Sequence, residues 1–400
     1  MMRWILAAQR HCKHDCDVVT HAAKTLKRHL RVRKAFHLDD KPVPKWDENP
    51  LYTEKYFPRG YVVENATDDR NRLVWVVAYG TLDTMGALHK LGTSVFTRYC
   101  FWQHEQLLRL VNEQELKTGR MSGVHYILDL DNFHINPFAM LFVTSGQMSY
   151  YSHMLYYDNY PELVHPFQLI NASKWFTIPY MLIKNVMPAG FTDKFKLHDH
   201  SYKEALLREI GVESGLPLEL GGTSPNGVKV PGRKFDPSEY YSAESDEFLH
   251  DERYKLEFFV SPRRRKVIPI RVNMGDSVSW RMTISSETQI YFGVFYGAVV
   301  YNDEQMSEQE KELLRPTELD NLEMVYPWLS VGARMAADEG SVVCTQGGTL
   351  YFVFCNRRAW LSRRYLTFAI KVESSSDASE HLDSAGHNAA QSLLENMITL

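Results

Sequence analysis

Side chains able to do acid-base, nucleophilic or metal chemistry gather in few places in this 400-residue sequence. Asp129 and Asp131 stand at the end of an apolar run over 124–130, His198, Asp199 and His200 follow another short run, and His11, Cys12, His14 and Cys16 crowd one stretch near the start. Carboxylates and imidazoles at strand ends are where α/β folds put catalytic groups. No glycine-rich phosphate loop or nucleophile elbow accompanies them, and the His/Cys stretch lacks a second ligand pair at zinc spacing. No catalytic residue, metal ion or cofactor is therefore expected, and the chemistry to look for is non-covalent binding.

Composition bounds what such a binder is. Hydrophobic residues make up 44% and charged residues 24%, which is globular and long enough for at least two cores. The formal net charge of −4 calls for neither nucleic acid nor a strongly charged surface overall. Locally the balance differs: residues 1–45 hold eleven Lys/Arg against four acids, while 373–400 hold five acids and no Lys or Arg. The N-terminal segment is thus the one expected to meet anionic lipid. An odd five cysteines, with no secretory pattern at the start, suit a reducing, cytoplasmic setting. Apolar runs such as 73–79 and 139–143 are far shorter than the roughly 18 residues of a membrane span.

The elements that would position a site follow from periodicity. Val19, Ala22, Leu26 and Leu30 recur at helical spacing among lysines and arginines, predicting one amphipathic helix stopped by Pro42 and Pro44. From 61 to 215, strand-like runs at 73–79, 124–130, 166–170 and 195–198 alternate with helices. Helix starts are expected at Ser94, at Asn136-Pro137 and at Ser201, where Glu204 completes a capping box, and Gly211 ends the last helix. That alternation predicts an α/β domain with a largely parallel sheet. Residues 221–252, rich in Gly, Pro, Ser and acids, read as a linker or an extended crossing segment. Beyond them the period becomes two: Val278, Trp280, Met282 and Ile284 alternate with polar residues, and further strands are expected at 290–296, 350–354 and 365–372. The polar stretch 303–323 is expected to be a surface loop with some helix. The end reads as a disordered tail with a short docking helix over 393–400.

The order of motifs across 129–222 resembles the CRAL-TRIO family. Asp129-Leu-Asp131, Asp158-Asn-Tyr-Pro-Glu162, Ile170-Asn-Ala172, Lys194-Phe-Lys-Leu197 and Leu216-Pro-Leu-Glu-Leu-Gly-Gly222 follow that family's D-x-x-G, D-x-Y-P-E-R, I-I-N-A-P, K-x-x-x-L and L-P-x-x-x-G-G series. The first ten residues resemble part of the helical lobe that precedes this domain, so the chain is expected to begin late. The second half resembles a GOLD domain through Val278-Ser-Trp280, Ile290-Tyr-Phe292, 348–354, Asn356, Trp360 and Leu366-Thr-Phe368, with Gln289 and Cys355 in place of acids. The implied organisation is an N-terminal helical lobe over 1–45, an α/β CRAL-TRIO lipid-binding domain over 46–225, a linker over 226–252, an all-β GOLD sandwich over 253–372, and a tail over 373–400.

The resemblance implies a non-enzymatic lipid-binding protein whose cavity hides acyl chains, each buried methylene contributing about 0.8 kcal/mol. Phe138, Phe142, Tyr151 and Leu155 would line that cavity. The stretch 180–192 falls at the family's gate helix, with Tyr180, Met181, Ile183, Val186, Met187 and Phe191 able to face lipid and Pro179, Pro188 and Gly190 breaking its ends. Glu162 and Lys194 match the family's head-group contacts. Leu163, Phe191, Leu6 and Ala8 stand where phosphate-binding members carry arginine or hydroxyl residues, which widens the expected ligand from a phosphoinositide alone to a phospholipid, a phosphoinositide or a sterol-, tocopherol- or isoprenoid-like lipid. Partners would be that lipid, a transient membrane surface and proteins recruited by the GOLD domain, with no nucleic acid: the run 263–266 has no stacking platform tied to it. An adaptor whose partner binding is regulated by lipid is the alternative function.

Overall fold

The computed structural model describes residues 1–10, 12, 14–133, 154–172, 194–211, 215–285, 289–298, 319–374 and 398–399. The chain divides into two compact units, the first built from Met1–His29, Pro42–Ala87 and Tyr99–Asp236, the second from Leu30–Lys41, Leu88–Arg98 and Pro237–Leu400.

The first unit begins with helix α1, Met2–Gln9, and helix α2, Asp15–Ala35. Two helices thus stand where one was expected, and the buried face of α2 keeps Ala22 but takes Val18 and His29 in place of Val19 and Leu30. Val18 and Ala22 pack with Ala8, Trp4 and Ile5, while Val19 is 67% exposed and, in the part of α2 that joins the second unit, Leu30 is 54% exposed. A short helix α3, Pro50–Thr53, is capped by Asn49.

The sheet of this unit contains β1, Tyr61–Thr67, β2, Leu73–Val77, β3, Val124–Asp129, β4, Val164–Ile170, and β5, Phe195–Leu197, in that spatial order. β2 to β5 are parallel, and β1 closes one edge antiparallel to β2. Between strands run α4, Thr84–Lys90, the long helix α5, Thr93–Thr118, which belongs to this unit from Tyr99 onward, and α6, Tyr202–Ile210. Both sheet faces are covered, which is why the strands read as continuous apolar runs. On one face Val74, Val76, Ile127 and Ile170 pack against Tyr202, Leu206 and Ile210 of α6. The other carries an aromatic row, Trp75, Tyr126, Phe167 and Phe195, one residue from each parallel strand. The expected capping box at Ser201 does not form: its hydroxyl donates instead to Asp199 at 2.6 Å. Gly211 does end α6, at φ 96°.

The second unit is antiparallel. One sheet orders β10, Glu323–Val331, β9, Ile290–Gly297, β12, Gly348–Cys355, and β7, Arg265–Val272, with β14, Ile398–Thr399, at its edge. The other orders β11, Asp338–Val343, β8, Ser277–Ile284, β13, Arg364–Glu373, and β6, Lys255–Val260. A single helical turn, α7, Glu247–His250, precedes β6. Trp280, Phe292, Phe352, Phe354 and Phe368 form an aromatic core with ring centroids 5.0–6.4 Å apart. On the far side of β12, Tyr351 and Val353 are covered by Leu319, Leu322 and Met324.

Residues 398–399 pair as strand with Val267 and Lys266, where a docking helix was expected. Ser94, expected as a cap, lies inside the first turn of α5, and its amide and hydroxyl donate to Asp338 at 2.7 and 2.6 Å. The side chain that caps this helix thus comes from a strand 244 positions away.

Candidate functional site

Parallel strands put their starting residues along one edge of the sheet, and the two charged residues singled out above both sit there. Glu162 occupies the turn before β4, at φ 58°, and Lys194 immediately precedes β5. Lys194 Nζ lies 4.0 Å from Glu162 Oε1, with side chains 4% and 11% exposed. The ammonium also sits over the ring of Tyr157, 4.8 Å from its centroid.

Two arginines complete the cluster. Arg10 donates to Glu162 Oε2 at 2.8 Å. Arg3, on α1, donates to the Glu162 carbonyl at 2.9 Å, to the Ser122 carbonyl at 2.9 Å and to Glu115 Oε1 at 2.6 Å. α1 is thereby fastened to the strand-start edge by one guanidinium. Three cations, Arg3, Arg10 and Lys194, face two carboxylates, Glu115 and Glu162, so these residues carry one net positive charge.

Burial governs the electrostatics. It lowers the pKa of Lys194, helped by Arg10 and opposed by Glu162. Burial likewise lowers that of Arg3, against the pull of Glu115 and Glu162. His165, on β4, is pushed down to about 3 by burial and by the charges of Lys194, Arg72 and Arg10, so it is neutral at physiological pH. A partly desolvated ammonium beside a carboxylate, in surroundings that hold histidine neutral, can bind a hydroxyl or a singly charged group.

Of the other residues singled out in the sequence, Leu155 is described, buried at 6% exposure in the wide helical turn Met154–Asn159. Phe138, Phe142, Tyr151 and the gate positions Tyr180, Met181, Ile183, Val186, Met187 and Phe191 lie outside the described residues. Arg3 and Arg10 were missed by sequence reading. The only signal available was their basic character, and nothing local ties them to Glu162, 152 positions from Arg10.

The opposite end of the strands holds Asp129 and His198. Asp129 accepts from Asn171 at 2.8 Å and from Lys229 at 3.1 Å. Lys229 also pairs with Glu219 at 2.5 Å. Together with the bridge between Arg59 and Val230, this fastens the segment after Gly222 to the first unit, so that its first part is an extended crossing strap. These carboxylates are consumed by structural pairs, and the described residues contain no cluster of three or more His, Cys, Asp or Glu that could hold a metal ion.

Comparison with known proteins bears on what the arrangement serves. The CRAL/TRIO domain model matches residues 59–222, and a domain of unknown function (DUF8435) matches residues 1–41. Protein ctg-1 of Caenorhabditis elegans is 23% identical over 387 residues, covering 93% of this chain and 91% of the relative. The CRAL-TRIO domain-containing protein F28H7.8 of the same organism is 23% identical over 376 residues, covering 94% and 85%. The Sec14 cytosolic factor of Schizosaccharomyces pombe is 28% identical over 202 residues, 49% of this chain and 64% of that protein. The parallel sheet, its flanking helices and the edge bearing Glu162 and Lys194 all involve the matched segment, and residues 59–222 of this chain are a CRAL/TRIO domain.

Proposed function

We propose that this protein binds a lipid in its CRAL/TRIO domain and exchanges it at membranes, without catalysing a reaction. The observation that carries this reading is the buried pair of Lys194 and Glu162 at the edge of the matched domain, flanked by Arg3 and Arg10. A buried ion pair costs desolvation and is weak evidence of a stabilising role, which leaves recognition of a ligand's polar head as a use for it. The ligand is a lipid whose head is neutral or singly negative, since only one positive charge remains uncompensated in the cluster. Its acyl or isoprenoid portion would supply most of the affinity, about 0.8 kcal/mol per buried methylene. Leu155 and the large apolar side chains at 138–151 and 180–191 would line the cavity, the latter as its gate. The antiparallel unit is read as a GOLD sandwich, on the motif order across 278–368.

The test is native mass spectrometry of the purified full chain, followed by extraction and identification of what is bound. One lipid per chain is expected. A chain that is empty after gentle purification, and stays empty after incubation with mixed-lipid vesicles, contradicts the reading.

A further inference from the structure

The pairing of β6 with β13 and of β7 with β12 brings two loops together at one end of the sandwich. The stretches 261–266 and 356–364 contain eight arginines and lysines and no acid. Asn356 pins them to each other: its amide donates to the Arg264 carbonyl at 2.9 Å, its carbonyl accepts from the Arg263 amide at 3.0 Å, and its side chain reaches the Val260 and Ser362 carbonyls, each at 3.0 Å. Arg364 is buried and holds the loop from below, donating to the Gln289 carbonyl at 3.1 Å. Arg263, Arg264, Arg357, Arg358 and Arg363 are exposed.

The tip of this basic end is apolar. Trp360 is 76% and Leu361 94% exposed, and Phe259 and Tyr365 stand beside the loop at 43% and 53%. An exposed leucine next to an exposed tryptophan, ringed by arginines, has no role in the packing of the sandwich itself.

We propose that this end of the sandwich docks on an anionic lipid bilayer, with Trp360 and Leu361 entering the head-group layer and the exposed arginines meeting lipid phosphates. Indole rings favour the membrane interface, and guanidinium groups pair with phosphate in a bidentate fork. Nucleic acid fits less well. The aromatic faces that would stack on bases are already taken by guanidinium groups: Arg263 lies 3.9 Å from the Trp360 centroid, Arg358 4.7 Å from Tyr291 and Arg363 4.8 Å from Phe259. Leu361 would also gain nothing from a polynucleotide. The surface is separate from the lipid-binding edge and stands whether or not that edge holds a ligand.

The experiment is co-flotation of the full chain with phosphatidylcholine vesicles, with and without phosphatidylserine. Binding is expected only to the anionic vesicles and is expected to fall with added salt. The double variant Arg358→Glu/Arg363→Glu should weaken it by roughly tenfold or more. Trp360→Ala should weaken it too and reduce quenching of tryptophan fluorescence by brominated acyl chains. Both sites are exposed, and an unchanged thermal unfolding midpoint would show that the variants are folded. The proposal is overturned if the wild-type chain ignores anionic vesicles, if both variants bind as it does, or if Lys24→Glu/Lys27→Glu on α2 abolishes binding while the loop variants retain it. Single-stranded RNA outcompeting vesicles for the same arginines would also overturn it. Lipid extracted from the unmixed protein reports on the cavity alone, so the two readings can fail separately.

Discussion

The interior of the parallel sheet and the interior of the sandwich are filled by different chemistry. Beneath α6, a polar chain runs from the β1–β2 turn across β3 and β4: Arg72 pairs with Asp68 at 2.6 Å, Asp68 accepts from His125 Nδ1 at 3.0 Å, and Gln168 bridges His125, Glu209 and His198. Since Gln168 Nε2 donates to His125 Nε2, the imidazole must carry its proton on Nδ1 and is neutral; burial lowers its pKa accordingly. That chain lies alongside the aliphatic face and the aromatic row of the same sheet, whereas the centre of the sandwich is built round aromatic rings, with Phe292, Phe352, Phe354 and Phe368 all fully enclosed. A polar chain specifies one arrangement because each member fails if another moves, whereas an aromatic core supplies mainly hydrophobic burial. The polar chain of the first unit runs under the helix that covers its sheet, while buried polar groups of the sandwich such as Asp338, Asn356 and Arg364 hold a helix start and a loop outside its aromatic centre.

Three substitutions would break or sharpen this contrast. Phe354→Ala removes a ring at 0% exposure that touches Phe258, Phe292 and Phe368. A loss of about 4 kcal/mol is expected, seen as faster amide exchange throughout β12 while exchange in β3 stays unchanged. Asp68→Asn should cost about 3 kcal/mol in the parallel-sheet unit by leaving Arg72 and His125 without their carboxylate. Burial alone would raise the pKa of Asp68, but hydrogen bonds from His125 and Arg72 and the Arg72 charge outweigh it and hold it at about 2. A lowered carboxyl stabilises the fold above its unfolded pKa, about 3.9, and that stability is lost as pH falls through about 2. Urea unfolding of the Asn variant should therefore depend less on pH than the wild type below about pH 4.

Asp338 behaves in the opposite sense. Burial pushes its pKa up to about 6 despite the hydrogen bonds from Ser94. A raised carboxyl favours the fold most at pH below its unfolded value, and this contribution is lost as pH rises through about 6. Relative to Asp338→Asn, the wild type is expected to lose on the order of 2 kcal/mol of stability between about pH 4 and pH 7. A flat difference across that range would mean that the carboxylate is as well solvated by the α5 amide and hydroxyl as by water.

Legibility in the sequence follows from which periods the environment imposes. β8 alternates strictly because one face packs on the aromatic core and the other does not, and its pattern could be read directly. β12 is buried along its whole length, so alternation is erased and only an apolar run marks it. β10 and β11 were not anticipated: the polar β11, with its exposed Glu339 and Val343, offers neither signal. On α2 the face through Ala22 was legible, but Val18 and Val19 are equivalent in type, and only packing against Ala8 chooses between them. Motif order singled out Glu162 and Lys194 as two separate positions, and only the fold brings them within 4.0 Å of each other. Motif order could not find Arg3 and Arg10, whose partners are set by tertiary folding. Nor could charge counting separate the N-terminal basic segment, partly consumed by such pairs, from the loops around Asn356, where Arg263, Arg264, Arg357, Arg358 and Arg363 stay exposed.

The most direct test of the lipid-binding account is ligand occupancy of the full chain by native mass spectrometry, compared between wild type and Lys194→Met. Methionine keeps the bulk of the buried stem and removes the charge beside Glu162. The account predicts one lipid per wild-type chain and, for the variant, lower occupancy or a shift toward ligands without a negative head group. An identical lipid at identical occupancy in both proteins would contradict a head-group role for this edge, and no lipid in either would contradict lipid binding itself.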